Sequence, residues 1–481
     1  MIPSNAKMAG LSEVKRRVLA QCLGGSLRLP PADQKIMPRP RGVQIPLSFT
    51  QEHLWRRTQT AATPLLYNES ITLYRNGPLD LALLQRSLTE IIRRHEIWRT
   101  TYETWRGQPW QVVHAAPAAF PLPIADLRDA SKWQREVSAA RLMTEAARIP
   151  FNLDAGPLLR AMVIRMDEEN YRLCLTAHLS IVDGVSIYQV FPEELTTVYE
   201  AFSTGQPSPL PELAIQYGDY AYWQREWLVH QEIPKQLKYW RKQLGGELLT
   251  LTWPSGPRPP RQTFRGAIHS FTFPAKIFTA VKELCRQERA TPFIVLQAAL
   301  ATLLHSYTGQ EEIIIGTFSP AGRKRSEVQG LLGHFLNPLP LRLDLSGDPC
   351  FSLLLQRSQR VTYDAMSHDD VPLEVLAHEL LATQDESRNP FFTVGVSMQP
   401  PASGGSSRWS VTSMDASSGG AMWDVYLAFI VHRDQLAGRL QYNPDLFNFD
   451  TITRLVSDLQ ALLTAAADNR QLPISRLQSY L

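Results

Sequence analysis

Apolar residues recur at helical spacing along residues 79–93, where Leu81, Leu84, Leu88, Ile91 and Ile92 share one face. Residues 143–147, 192–202 and 280–288 predict further helices. The run 292–305 (PFIVLQAALATLLH) is apolar nearly all round and predicts a buried helix. Residues 451–465 predict an amphipathic helix with Asp450 as its N-cap. Strand patterns fall at 161–166, 171–178, 313–318, 339–345, 393–398, 425–432 and 439–442, and the polar run 167–170 predicts a hairpin between two of them. Strands and helices mixed in both halves give an α/β or α+β class. The Gly- and Ser-rich stretch 400–420 is expected to be a loop or mobile crossover. Residues 11–23 suit a short amphipathic helix. A Gly-Gly-Ser and a Pro- and Arg-rich run to residue 42 have linker composition, and the body begins near Ile45.

Composition narrows the function classes. A chain of 481 residues suggests roughly two to four domains of about 150 residues. Hydrophobic content of 44% and charged content of 20% are those of an ordinary globular protein. A net charge of +3 gives no support for nucleic-acid binding. Cys22, Cys174, Cys285 and Cys350 show no C-x-x-C spacing and are read as reduced thiols of a cytoplasmic protein. No run approaches the ~20 apolar residues of a membrane span, and no secretory leader stands at the N-terminus. Neither an H-E-x-x-H nor a Cys/His quartet is present, so no metal site is expected. A phosphate-binding glycine loop is also absent from the sequence.

Chemistry concentrates in Thr176-Ala177-His178-Leu179-Ser180-Ile181-Val182-Asp183-Gly184-Val185-Ser186. An imidazole, the side chain best suited to proton exchange near neutrality, closes an apolar run beside an Asp-Gly turn. That arrangement suits acyl transfer. Six further segments accompany it: Leu47 to Trp55 (LSFTQEHLW), Arg94 to Thr100 (RHEIWRT), Tyr217 to Trp223 (YGDYAYW), Gly333 to Pro338 (GHFLNP, running on to Leu341-Arg342), Ser367 to Glu374 (SHDDVPLE) and Ser387 to Phe392 (SRNPFF).

In order and spacing, from Ile45 onward, these seven segments resemble the condensation domains of nonribosomal peptide synthetases. The resemblance implies two chloramphenicol acetyltransferase-like lobes in a V-shaped pseudo-dimer with a tunnel between them. The implied organisation is a linker or docking segment at 1–44, an N-terminal lobe at 45–222 and a C-terminal lobe at 223–481, with the crossover near 400–420. Donor and acceptor carrier proteins would dock at opposite mouths of a monomer, among neighbouring synthetase modules. Their 4'-phosphopantetheine arms would deliver the substrates, with no cofactor held by the chain itself. The acceptor amine would attack the donor thioester to form an amide; a polyketide-type donor stays open.

The family motif is H-H-x-x-x-D-G, and its second histidine is the one linked to catalysis. Here His178 occupies the first position and Leu179 the second. Because neighbours on a strand face opposite ways, a channel-facing Leu179 would turn His178 away. His178 is then either structural or swung into the channel by local distortion. The resemblance makes Asp183 an acceptor for hydrogen bonds and a cation, with Arg323 the expected partner. It lets Gly184 admit the pantetheine arm, with its N–H offered to an oxyanion. Val185 stands where the family often has Trp. Ser186 would either bond the arm or cap a helix. Arg94, Arg99 and Asn337 are expected to support structure. Four alternatives remain: a non-catalytic recruitment module, an ester-forming relative, a cyclisation-type relative, which would have Asp at position 178, and an epimerase.

Overall fold

The structure is a computed structural model. It describes residues 35–61, 63–228, 232–254, 256–381, 385–400, 409–412, 416–432 and 435–481. In chain order the strands are β1 (Ile45–Pro46), β2 (Asn68–Asn76), β3 (Thr100–Trp105), β4 (Gln108–Val113), β5 (Ile124–Asp126), β6 (Leu159–Arg165), β7 (Asn170–His178), β8 (Ala267–Thr272), β9 (Glu312–Ser319), β10 (Asn337–Asp344), β11 (Val394–Met398), β12 (Trp409–Thr412), β13 (Val425–His432) and β14 (Gln435–Tyr442).

The first half is built on a sheet of order β12-β2-β7-β6-β5. Its central strand β7 is buried along nearly its whole length, which is why its sequence reads as an apolar run rather than an alternation. One face, carrying Leu173, Leu175 and Ala177, joins a core with Leu84, Leu88 and Ile91 of the helix Leu81–Arg94 and with Phe191 and Leu195 of Phe191–Ser203. The other face, carrying Cys174, packs on Ala139 and Met143 of Lys132–Ala147. The small sheet β1-β4-β3 flanks this half.

The second half holds a sheet of order β10-β9-β11-β13-β14-β8, in which β11 runs parallel to β9 and β13. Its core centres on the helix Pro292–Thr308, in which every residue from Ile294 to Leu304 is buried. Thr291 caps that helix through the Ile294 N–H, Pro292 opens it, and Gly309 closes it at φ +67°. The mixed α/β class expected from the patterning is the one observed.

Several expectations shift. The helix closing the chain is Phe449–Asp468, capped by Asn448, whose side chain accepts from the Thr451 N–H at 2.8 Å; Asp450 sits in its first turn instead. The stretch 400–420 is not all loop. Its residues 409–412 form β12, which crosses from the second half to pair antiparallel with β2. Trp409 and Val411 are buried there while Ser410 and Thr412 are not, a two-residue alternation too short to stand out in a polar sequence. A continuous helix, Tyr217–Trp227, runs across positions 222 and 223. The expected helix at 11–23 lies outside the described residues. The expected linker is anchored at two points: Ile36 is 1% exposed, and Arg39 reaches Asp219 at 2.7 Å and Glu96 at 3.0 Å.

Candidate functional site

The turn after β7 brings the two halves together. Strand pairing ends at His178 because residues 179–181 coil into a single 3-10 turn, and Ser186–Val190 then makes one π-helical turn leading into the next helix. Asp183 lies between them, fully inside the protein. Arg323, from a 3-10 turn of the second half, forks onto it at 3.0 Å (Nε to Oδ2) and 2.8 Å (Nη2 to Oδ1). The backbone N–H groups of Ser186 and Phe335 donate to the same carboxylate at 2.8 and 3.2 Å. Arg323 spends its remaining donors on the carbonyls of Val328 and Leu331 and on the Ser186 hydroxyl. Burial alone would raise the Asp183 carboxyl, but the guanidinium and these donors hold it below its usual range.

Ser186 neither caps a helix nor offers a free hydroxyl. Its Oγ donates to the Gly333 carbonyl and accepts from the Gly333 N–H, both at 3.0 Å, and Val185 occupies the cap position of the π turn. At Gly184 the close approach is to the second half's own side chains: a Cβ there would lie 2.9 Å from Gln399 Oε1 and 3.2 Å from Pro400 Cδ.

His178 is 2% exposed and completely engaged. Its Nδ1 accepts from the Ser180 N–H at 3.3 Å and lies 2.7 Å from Ser180 Oγ. An accepting Nδ1 puts the proton on Nε2, which faces Thr58 Oγ1 at 3.3 Å; that hydroxyl donates in turn to Leu54 O. The edges of Tyr67 and Phe151 close around the ring. Burial, reinforced by His334, pushes its pKa down to about 3, so the imidazole is neutral in ordinary buffers. Of the two roles open for His178, this geometry matches the structural one.

Leu179 opens the 3-10 turn that follows the strand. It packs against a cluster of Leu54, Leu66 and Tyr67 of the first half and Phe264 of the second, on the seam between them, and it is only partly buried. The remaining expected residues stand in structural roles. Arg94 bonds Glu194 at 2.9 Å and the Pro211 carbonyl, Arg99 bonds the His114 carbonyl, and Asn337 donates to the carbonyls of Asp369 and Val371 at 2.8 and 2.7 Å. The Tyr217–Trp227 aromatics likewise pack, with Tyr217 and Tyr220 each 4.9 Å from Phe335 and Trp223 stacked on Trp227.

Three neighbours of this seam were not singled out from the sequence. His334 donates from Nδ1 to the Val182 carbonyl at 2.9 Å, and burial lowers its pKa. Arg57 lies over the Phe264 ring at 5.2 Å. His53 meets Glu374 of the second half at 2.6 Å. All but Phe264 lie on or beside the seven segments, yet no spacing rule links residues so far apart in the chain.

A family model described as "Condensation domain" matches residues 43–480. The chain belongs to the condensation-domain family. One polypeptide of the linear gramicidin synthase of Brevibacillus parabrevis is 38% identical over 465 residues, covering 95% of this chain and 6% of that protein. Phosphinothricin tripeptide synthetase PhsC of Streptomyces viridochromogenes is 32% identical, covering 96% of this chain and 42% of that protein. The condensation domain thus spans less than half the length of these synthetase relatives. Among solved structures, the X-domain from teicoplanin biosynthesis superposes with a TM-score of 0.80 at 26% identity, covering 92% of this chain and 99% of that one. The first condensation domain of the calcium-dependent antibiotic synthetase shares the fold, with a TM-score of 0.78 at 20% identity over 90% of this chain and 98% of that one.

Proposed function

We propose that this condensation domain joins two carrier-bound substrates by an amide bond at the seam between its halves. The donor and acceptor thioesters arrive on phosphopantetheine arms of separate carrier proteins, from opposite mouths of a passage between a lobe at 45–222 and a lobe at 223–481. One observation carries the reading: the buried Asp183–Arg323 fork ties the 178–186 turn of the first half to the 320–337 segment of the second. It holds the seam in a set geometry, and setting geometry is the larger part of the chemistry. Well-oriented tethered reactants reach effective molarities of about 10⁵–10⁸ M, whereas a general base contributes about 10²–10⁴-fold. Leucine at position 179 forfeits only the second of these. The synthetase works in the cytoplasm, where Cys174, Cys285 and Cys350 stay as thiols.

The test uses this chain with the carrier proteins that flank it in its own synthetase, each loaded with its aminoacyl group, and mass spectrometry of the carrier-bound product. A dipeptidyl carrier that depends on the domain is the expected result; no product from the flanking pair would end this reading. A second reading, recruitment without catalysis, is favoured by Leu179 and by the likeness to the X-domain, which is also solved in a complex with OxyB. Under it the domain binds a partner enzyme while product formation stays at background.

A further inference from the structure

We infer that His53 is the proton acceptor of this condensation domain, held in position by Glu374 across the seam, in place of the imidazole that Leu179 lacks. The inference rests on the amide-forming reading above. His53 lies on the helix Phe49–Thr60 of the first half and Glu374 in the first turn of Leu373–Leu380 of the second. Their contact, Nδ1 to Oε1 at 2.6 Å, orients the ring as histidine–carboxylate pairs do. With the Nδ1 N–H donating to the Glu374 carboxylate, the Nε2 lone pair is available to a substrate, and no hydrogen bond to Nε2 forms among the described residues.

Its surroundings favour the role. His53 is 17% exposed and Glu374 38%, so solvent reaches the pair, whereas His178 and His334 are each 2% exposed. Glu374 is nonetheless hemmed in by protein, as a side chain in a crevice is. Burial would raise its carboxyl, but His53 and Arg57 hold it below its usual range, so it stays ionised. The pair borders the same seam as Leu179. Leu54, next to His53, packs in the Leu179 cluster, and Arg57, one turn on from His53, lies over Phe264 of that cluster. Glu374 and His334 act on His53, and Arg57 and Tyr67 act on Glu374.

In the step assigned to it, the acceptor amine attacks the donor thioester carbonyl. The C–N bond forms and the C–S bond breaks. His53 Nε2 takes the proton released from the attacking nitrogen and returns it to the departing pantetheine thiolate, so the ring ends as it began. No oxidant, metal or second base is needed.

The experiment measures single-turnover amide formation between the two loaded flanking carriers. His53→Gln should slow it by about 10²-fold or more, with the KM for each carrier and the urea midpoint unchanged. His53→Gly should recover rate when imidazole is added. Glu374→Gln, a positioning change, should lower the rate by less than His53→Gln does. A His53→Gln variant that folds and works within a few-fold of the parent overturns the inference and leaves the amide reading standing. So does a loss in His53→Gly that imidazole leaves untouched. A parent chain that makes no product overturns both.

Discussion

Replacing Arg323 by leucine should destabilise this condensation domain more than any other single change at the seam. The Arg323 side chain is 5% exposed and that of Asp183 is fully buried, and two of the three guanidinium nitrogens bond the carboxylate. Leucine fills part of the space but leaves Asp183 charged, with only the Ser186 and Phe335 N–H groups for company. Breaking one side of a buried pair costs about 3–5 kcal/mol. The Leu331 carbonyl loses its donor as well, at about 1–3 kcal/mol where no water reaches it, while the Val328 carbonyl keeps the Leu331 N–H. We expect Arg323→Leu to lose about 4–8 kcal/mol of unfolding free energy in urea at pH 7. Asp183→Asn should relieve part of that loss when combined with it, because no bare charge remains, giving a coupling of about 2 kcal/mol. The pH dependence has a definite sign. In the parent, Asp183 is held below its usual value. Its contribution is therefore complete above the unfolded carboxylate range near ~4 and fades as pH falls through the lower folded value. In Arg323→Leu, burial acts unopposed by the guanidinium, so acidification protonates Asp183 and narrows the gap to the parent. A loss under about 1 kcal/mol at pH 7, or strict additivity in the double variant, would refute the claim that this fork holds the halves together.

His178 should remain unprotonated well into acid: its folded pKa near 3 against an ordinary 6.5 makes the unfolded chain the better proton binder between those values. Stability should therefore fall with pH across that window, by at most about 5 kcal/mol from this ring. A ring-proton NMR titration of His178 with a midpoint near 6 would contradict the assignment. Gly316→Ala should cost about 1–3 kcal/mol, because a Cβ there would overlap the Phe392 ring, which is buried against Trp423. An unchanged thermal midpoint would mean that Phe392 can yield.

Much of the secondary structure was legible because burial imposes a period. Pro292–Thr308 is apolar nearly all round and is a buried helix; β6 and β7 pair as a hairpin across residues 166–169, one residue earlier than expected, with Asp167 accepting from the Glu169 N–H at 2.9 Å. β12 was illegible because four residues carry no period, and its partner β2 lies more than 300 residues away. Asn448 displaced Asp450 as a cap because both residue types suit the position and only backbone direction separates them.

At the site the same divide appears. The order of short segments was enough to indicate the family, and the resemblance they carry was enough to pair Asp183 with Arg323, as the structure has it; the strand alternation expected to set His178 against Leu179 does not reach Leu179, which lies in the turn after the strand. Adjacent residues and motif spacing are local properties, carried along the chain itself. Which imidazole reaches solvent was decided only by folding. His178 is consumed by Ser180 and Thr58, while His53 finds Glu374 from the other half. Burial and partnership arise where distant segments meet, and one-dimensional spacing does not encode that meeting.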